Sequence, residues 1–434
     1  MGFSKHLNGV HVNHSKNTAG LPIIPMPAPE KVYIPMSQHI GAPCTPVVKV
    51  GDAVKTGQII GDSDARTSAP IHSSVSGTVE AITQGMTQAG KIDTIVVIKS
   101  DGKRELADTV VPPEINSFEE FVAAVRASGV VGLGGAGFPM GTKFNIKPGT
   151  VEYLIINGAE CEPYITVDHA AMLEFTRDII DGIRATMKWL QIPKCYIGIE
   201  GNKPDAIAKF NELLKGDESI KVHELRQIYP QGAERVIIYE TTGRIVSYGM
   251  IPWNAGCIVA NVTSMLKMSH YLKTGLPLVS KYITVDGDIV VHPQNVLVPI
   301  GTPIADVIDF CGGLKEEPGK IILGGPMMGR ATPSDEYSVC KSNSAILCFS
   351  KAFSNQRKET ACINCGRCVA ACPMSLMPAR ISRAFKDKDV EALKELDVLY
   401  CMDCGSCAYV CPARKPLNFE FRQAKAMVME ASKK

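Results

Sequence analysis

The sequence predicts a multidomain chain of α/β and β modules that ends in a helical, cysteine-rich unit. Three observations carry that reading. Residues 31–110 are short apolar runs broken by Gly and Pro, the pattern of a small all-β unit. Residues 111–274 alternate apolar strand-like runs with amphipathic helical ones, as an α/β domain requires. Residues 351–434 carry two cysteine runs of one spacing, and a second strand-rich module over 275–350 precedes them.

The 434 residues leave room for three or so domains of about 150 residues each. A composition of 45% hydrophobic and 21% charged residues is that of a folded, soluble protein. A formal charge of +2 gives no bias toward nucleic acid. Seven of the 15 cysteines lie outside the runs: Cys44, Cys161, Cys195, Cys257, Cys311, Cys340 and Cys348. With no apolar leader at the start, this odd remainder reads as reduced thiols in the cytosol. The uncharged stretch from Ile245 to Leu266 contains Pro252, Asn254, Gly256 and Asn261, so it reads as buried core rather than a membrane span.

Residues 1–30 read as an extension and linker, with Leu21 to Pro29 extended by its prolines. His6, His11 and His14 are irregularly spaced and read as surface side chains. Over 31–110 the strands Pro46–Val50, Gln58–Ile60, Gly77–Ile82 and Ile92–Ile98 predict a sandwich or barrel. The phrases from Val50 to Ile60 and from Ala69 to Val79 resemble the biotinyl/lipoyl-carrier barrel. The stretch Gly61–Ser68 has no lysine to modify, so a structural, unmodified barrel is expected.

Within 111–274, Phe118–Ser128 reads as amphipathic helix, Val151–Ile156 and Lys194–Ile199 as buried strands, His169–Leu190 as one long helix and Pro204–Lys215 as another. Over 275–350, strands Lys281–Val290 and Lys320–Gly325 flank a helical patch, Pro303–Cys311, with Asp286-Gly-Asp as a hairpin signal. One helix against a small sheet reads as a β-grasp-like module. Helices near Pro378–Phe385, Asp389–Leu396 and Phe419–Ala431 are expected in the last unit.

The cysteine runs are Cys362, Cys365, Cys368, Cys372-Pro and Cys401, Cys404, Cys407, Cys411-Pro. Each reads C-x2-C-x2-C-x3-C-P, the bacterial ferredoxin spacing for a [4Fe–4S] cluster, in which the fourth cysteine ligates the other cluster. One cluster is therefore assigned to Cys362, Cys365, Cys368 and Cys411, and the other to Cys401, Cys404, Cys407 and Cys372. Structural zinc uses paired C-x2-C without the x3-C-P closure, and disulfides need an oxidising compartment.

A second dense motif runs from Gly132 to Lys143, Gly-Leu-Gly-Gly-Ala-Gly-Phe-Pro-Met-Gly-Thr-Lys. Small residues let a backbone approach a phosphate, and Lys143 supplies positive charge. It matches neither the dinucleotide fingerprint nor the P-loop ending, so spacing alone leaves the nucleotide open. Three segments accompany it: Asn157 to Pro163 with Glu160 and Glu162, Tyr229 to Glu234 with Gly232, and Ala260-Asn261-Val262-Thr263.

These four segments resemble the flavin- and NADH-binding core of the respiratory complex I flavoprotein family, which carries G-R-G-G-A-G-F-P-T-G-x-K-W, N-A-D-E-x-E-P and N-N-V-E-T in that order. The whole layout resembles the RnfC family of the Rnf ion-translocating complexes. The resemblance implies a lipoyl-like barrel-sandwich, a Rossmann-like α/β flavin domain, a β-grasp (SLBB-type) module and a C-terminal two-cluster ferredoxin domain. It implies that Gly132, Gly134, Gly135 and Lys143 hold the FMN phosphate. Asn157, Glu160, Asn261, Tyr229, Gly232 and Thr263 would contact FMN, and Phe138, Glu162 and Glu234 would face NADH. Leu133, Ala159 and Phe144 replace an arginine, an aspartate and a tryptophan of the complex I family, and Ile146 stands where an aromatic is expected.

No catalytic side chain is implied, because flavin and clusters carry the chemistry. The resemblance implies a ferredoxin:NAD+ oxidoreductase of the translocase class, passing electrons between NAD(H), FMN, two [4Fe–4S] clusters and partner subunits. Those partners would be Rnf-type membrane and ferredoxin-like subunits, with ferredoxin reached indirectly. The complex would move Na+ or H+, and this chain would lie peripherally on the cytoplasmic face of the membrane. Two alternatives are a soluble NADH-dependent subunit of a hydrogenase-type complex and a cluster-bearing docking subunit without active flavin.

Overall fold

The structure, a computed structural model, describes residues 6–88, 90–354 and 358–433. Two small antiparallel sheets make the N-terminal barrel-sandwich. One orders Lys31–Pro35, Ile92–Ser100, Gly77–Met86 and Ala53–Val54, the other Thr45–Pro46, Ile59–Asp62 and Ile71–His72. Alternation points Val32, Ile34, Val79, Val96 and Ile98 inward against Ile60 and Ile71. The expected strand at Pro46–Val50 is only the pair Thr45–Pro46. The turn after Ile59–Asp62 is pinned rather than free. Arg126 Nη2 donates to Asp62 Oδ1 at 2.7 Å and to the Ser63 carbonyl at 2.8 Å. Thr142 Oγ1 donates to the Arg66 carbonyl at 2.9 Å.

The next domain centres on a parallel sheet ordered Ile220–Leu225, Lys194–Glu200, Tyr153–Gly158, Cys257–Asn261. Leu154 and Ile156 face one core with helices Thr176–Leu190 and Val262–Thr274. Ile155 and Val259 face the other with helix Glu234–Thr242. The chain steps outward over three strands and then returns to the opposite flank of Tyr153–Gly158. That reversal places the switch point between Asn157 and Asn261, which are register partners.

The single helix expected over His169–Leu190 is two, Val167–Glu174 and Thr176–Leu190. Phe175 leaves the helical region at φ −122° and ψ 30°. Its ring packs on Tyr282, with centroids 6.0 Å apart, so tertiary packing overrides local periodicity. Gly182 lets the second helix touch its neighbour, because a Cβ there would meet the Met265 carbonyl oxygen at 2.4 Å.

A six-stranded mixed sheet follows, ordered Ile23–Pro25, Gln294–Pro299, Ser280–Asp286, Ala345–Phe349, Lys320–Leu323, Arg330–Thr332, with helix Ile304–Phe310 on it. The hairpin signalled by Asp286-Gly-Asp exists, but the strand ends at Asp286 and residues 287–293 connect it to its partner. The first strand comes from the proline-rich stretch, which is packed where composition reads a linker. Upstream of it, Val10 and Tyr229 exchange both backbone hydrogen bonds at 2.9 Å. Residues 6–25 thus strap the α/β domain to the mixed sheet. The C-terminal unit packs helices Pro378–Lys386, Val390–Glu395 and Leu417–Ala431 around Ile381, Leu393, Phe421 and Ala424.

Candidate functional site

The glycine loop is closed at its base, where Gly132 N–H donates to the Phe138 carbonyl at 2.9 Å and Met140 N–H to Val130 at 3.0 Å. Leu133 is the anchor. Its N–H donates to Ser264 Oγ and its carbonyl accepts from Lys281 Nζ, both at 3.0 Å. Gly134, Gly135 and Ala136 then stand exposed. A Cβ on Gly134 would meet Asn261 Nδ2 at 2.4 Å, whereas one on Gly135 would meet nothing within 4 Å.

Under this loop lie the ends of the two strands flanking the switch point. Asn157 Nδ2 donates to the Gly232 carbonyl at 2.8 Å, which draws the Tyr229–Glu234 turn over the strand end. Asn261 caps helix Val262–Thr274: its Oδ1 accepts from Thr263 N–H at 2.9 Å and Thr263 Oγ1 at 2.6 Å. Its Nδ2 donates to Asp168 Oδ2 at 2.7 Å. Burial pushes the Asp168 carboxyl up and the Lys281 ammonium facing it down to about 8. Sequence reasoning did not find Asp168, Lys281 or Ser264. No motif marks them, since each reaches the loop from another element.

Lys143 Nζ donates to the Val259 carbonyl at 2.8 Å, lies 3.6 Å from Glu234 Oε1 and sits 5.9 Å from the Phe138 ring centre. These three residues share one edge of the crevice. Four others depart from the expected roles. Thr263 is fully buried and serves the cap. Glu160 Oε1 accepts from Asp168 N–H at 2.6 Å at the start of helix Val167–Glu174, so this carboxyl caps a helix. Glu162 accepts from the amides of Met327 at 3.0 Å and Met328 at 2.8 Å, joining the mixed sheet's 325–328 turn. Tyr229 is 2% exposed and its hydroxyl donates to the Cys404 carbonyl at 2.8 Å. Phe144 and Ala159 are wholly buried, and Ile146 packs against the core that holds Phe144.

The two cysteine runs are one loop built twice. Asn364 and Asp403, Gly366 and Gly405, and Ser375 and Arg414 all take positive φ at matching places. Those left-handed residues bend both loops at the same places. Cys401, Cys404, Cys407 and Cys372 line a single cavity. The electrostatic neighbours of Cys407 are Cys401, Cys404 and Cys372, and those of Cys368 include Cys411. Burial pushes the Cys401 thiol up to about 12, so metal must displace its proton. Among the described residues no three ligating side chains converge as for a single ion. A cubane takes one thiolate per iron and needs no such convergence.

The residues fit both groups. Gly135 leaves open space, and Gln231, 2% exposed in the turn that Asn157 holds, has an Oε1 without a hydrogen-bond partner. Cys372, Cys401, Cys404 and Cys407 share one cavity.

Known families match along the chain in the expected order. Residues 4–103 match the RnfC barrel sandwich hybrid domain, 125–270 the Nuo51 FMN-binding domain, 282–331 the SLBB domain and 354–412 the 4Fe-4S dicluster domain. The cofactors are FMN and two [4Fe–4S] clusters. A Clostridium ljungdahlii protein, named as the C component of a proton-translocating ferredoxin:NAD(+) oxidoreductase complex, is 44% identical, over 90% of this chain and 87% of its own length. Its counterpart from the Na(+)-translocating complex of Acetobacterium woodii is 41% identical, over 86% of each chain. The counterpart from an ion-translocating oxidoreductase complex of Rhodobacter capsulatus is 36% identical, over 97% of this chain and 83% of its own. The chain belongs to this family, the RnfC components of the ion-translocating oxidoreductase complexes.

Proposed function

We propose that FMN lies in the crevice between the ends of Tyr153–Gly158 and Cys257–Asn261, beneath the glycine loop, and that electrons pass between NAD(H) and partner subunits through this chain. The observation that carries the reading is the meeting of Asn157, Asn261 and exposed Gly134 at the strand-order switch point. When bound, the flavin exchanges a hydride for single electrons and the clusters carry them singly.

The chain's residues then divide the work. Gly132, Gly134 and Gly135 give backbone access to the phosphate, and Lys143 offers its remaining N–H groups there. Asn157 and Asn261 hold the flavin's polar edge, with Gly232 shaping the turn above it. Phe138 and Glu234 face the nicotinamide nucleotide. Glu160, Glu162, Thr263 and Tyr229 keep the scaffold in register.

The second cysteine run lies nearer the flavin. Tyr229 bonds Cys404, and Tyr400, next to Cys401, packs on Tyr248 with centroids 5.3 Å apart. The first run, with Cys362 and Cys365 exposed, is the outer end. Within the complex this electron transfer is coupled to Na+ or H+ movement by other subunits. Among the described residues no helix is long and apolar enough to cross a membrane, which supports a peripheral place, on the cytoplasmic face where NAD(H) is found.

The test is anaerobic purification. A flavin band bleached by NADH, with about eight irons per chain, supports the proposal. Iron without flavin returns the chain to a docking role. Lys143→Ala releases FMN and spares the iron; unchanged flavin occupancy overturns the phosphate assignment.

A further inference from the structure

The proposed outer end has an unusual surface. The Thr360 N–H donates to the Ala413 carbonyl at 3.1 Å, which lays the segment before the first cysteine run against the segment after the second. Helices Arg367–Ala370 and Ser406–Tyr409 pack side by side in the same region. Cys362 and Cys365 are exposed, and in the same two runs Ile363, Val369 and Tyr409 are exposed by 67%, 40% and 51%. A single exposed apolar side chain needs no explanation, but several around the least buried redox ligands do.

The charges are one-sided. Arg367 and Arg414 are exposed in these two segments, and among the described residues neither has an acid within ion-pair distance. Glu359, the acid in the same segment, is taken by Lys386 and Lys415. Residues 351–434 hold fifteen Lys and Arg against nine Asp and Glu, although the whole chain carries only +2. Exposed aromatic and apolar side chains accompanied by arginines match the composition of a protein interface. A net basic rim steers an acidic partner and sets its on-rate more than its affinity.

We propose that this face docks an acidic one-electron redox protein, a partner subunit of the same complex. Its apolar centre meets Ile363, Val369 and Tyr409, and its carboxylates meet Arg367 and Arg414. One electron crosses, with no bond made or broken. One redox centre is oxidised as the other is reduced. The inference rests on the route proposed above, in which the first run is the outer end.

The test uses the assembled membrane complex. Arg367→Glu with Arg414→Glu, and separately Ile363→Glu, leave iron content and NADH bleaching of flavin unchanged. Electron delivery from NADH to the remaining subunits falls about tenfold at moderate salt, and Arg367→Lys with Arg414→Lys restores most of it. Raised salt slows the wild type and does not slow the charge-reversed variant. Delivery indifferent to both reversals and salt overturns the proposal. If flavin in the wild type does not bleach, the flavin reading fails on its own. Docking is then read from the salt that releases this chain from membranes carrying the other subunits. Earlier release of the variants supports the surface, and release at the wild-type salt overturns it.

Discussion

The Tyr229 phenol donates to the Cys404 carbonyl across 2.8 Å, a hydrogen bond that spans 175 residues and joins the flavin-binding domain to the second cysteine run. The same tyrosine pairs with Val10 through its backbone, so the strap, the flavin-binding domain and the cluster loop meet at one residue. Burial holds the phenol well above its ordinary pKa, which keeps it a donor at any working pH.

Tyr229→Phe removes that bond and leaves a buried carbonyl without its partner, at a cost of about 1–2 kcal/mol. NADH bleaching of flavin keeps its wild-type rate, while cluster reduction in the same stopped-flow trace slows. Equal effects on both phases refute the positioning role.

The crossed ligation separates two cysteine variants. Cys372→Ser removes a thiol from the cavity it shares with Cys401, Cys404 and Cys407, and Cys411→Ser removes the proposed fourth ligand of the outer cluster. Each retains roughly four irons. In Cys411→Ser the remaining cluster is still reduced by NADH, seen by electron paramagnetic resonance. In Cys372→Ser it is not.

Two adjacent glycines make a matched pair. In Gly134→Ala the new Cβ would fall 2.4 Å from Asn261 Nδ2, displacing the side chain that caps the following helix, so both stability and flavin occupancy drop. In Gly135→Ala nothing obstructs the methyl within 4 Å, so thermal stability is retained. Flavin occupancy nevertheless falls, because the methyl occupies the backbone's approach to the phosphate. A Gly135→Ala protein with full flavin removes the loop from the binding site.

Glu162 gives a pH signature. Burial raises its carboxyl from 4.5 to about 7, even though two amides favour the charged form. The folded state therefore binds more protons than the unfolded state between these values, and stability falls as pH rises through that window. Denaturation of the wild type at pH 5.5 to 8 shows this decline, and Glu162→Gln flattens it. An unchanged slope sinks the assignment.

Lys16 is the strap's anchor, donating to the carbonyls of Glu160 at 2.8 Å, Glu162 at 2.9 Å and Ile165 at 2.5 Å. Lys16→Met leaves three part-buried acceptors without this partner and costs about 3 kcal/mol. Urea unfolding measures the loss, and a change below about 0.5 kcal/mol shows the strap to be dispensable.

The sequence by itself determined the chemistry held in local spacing. Two C-x2-C-x2-C-x3-C-P runs mark the two clusters, because a loop that wraps a cubane is built from adjacent residues whose left-handed turns recur at Asn364 and Asp403. The glycine loop with Lys143, and the asparagines at two strand ends, were legible for the same reason. Only the tertiary structure decided what Glu160, Glu162 and Tyr229 do. Each carries a polar atom whose partner lies on another element, a helix start, a neighbouring sheet and a cluster loop. No pattern along the chain shows which buried polar group will satisfy which. The prolines of the first 30 residues misled for a related reason. They disfavour helix and central strand, yet an edge position beside Gln294–Pro299 accepts them, and the edge exists only once the sheet has formed.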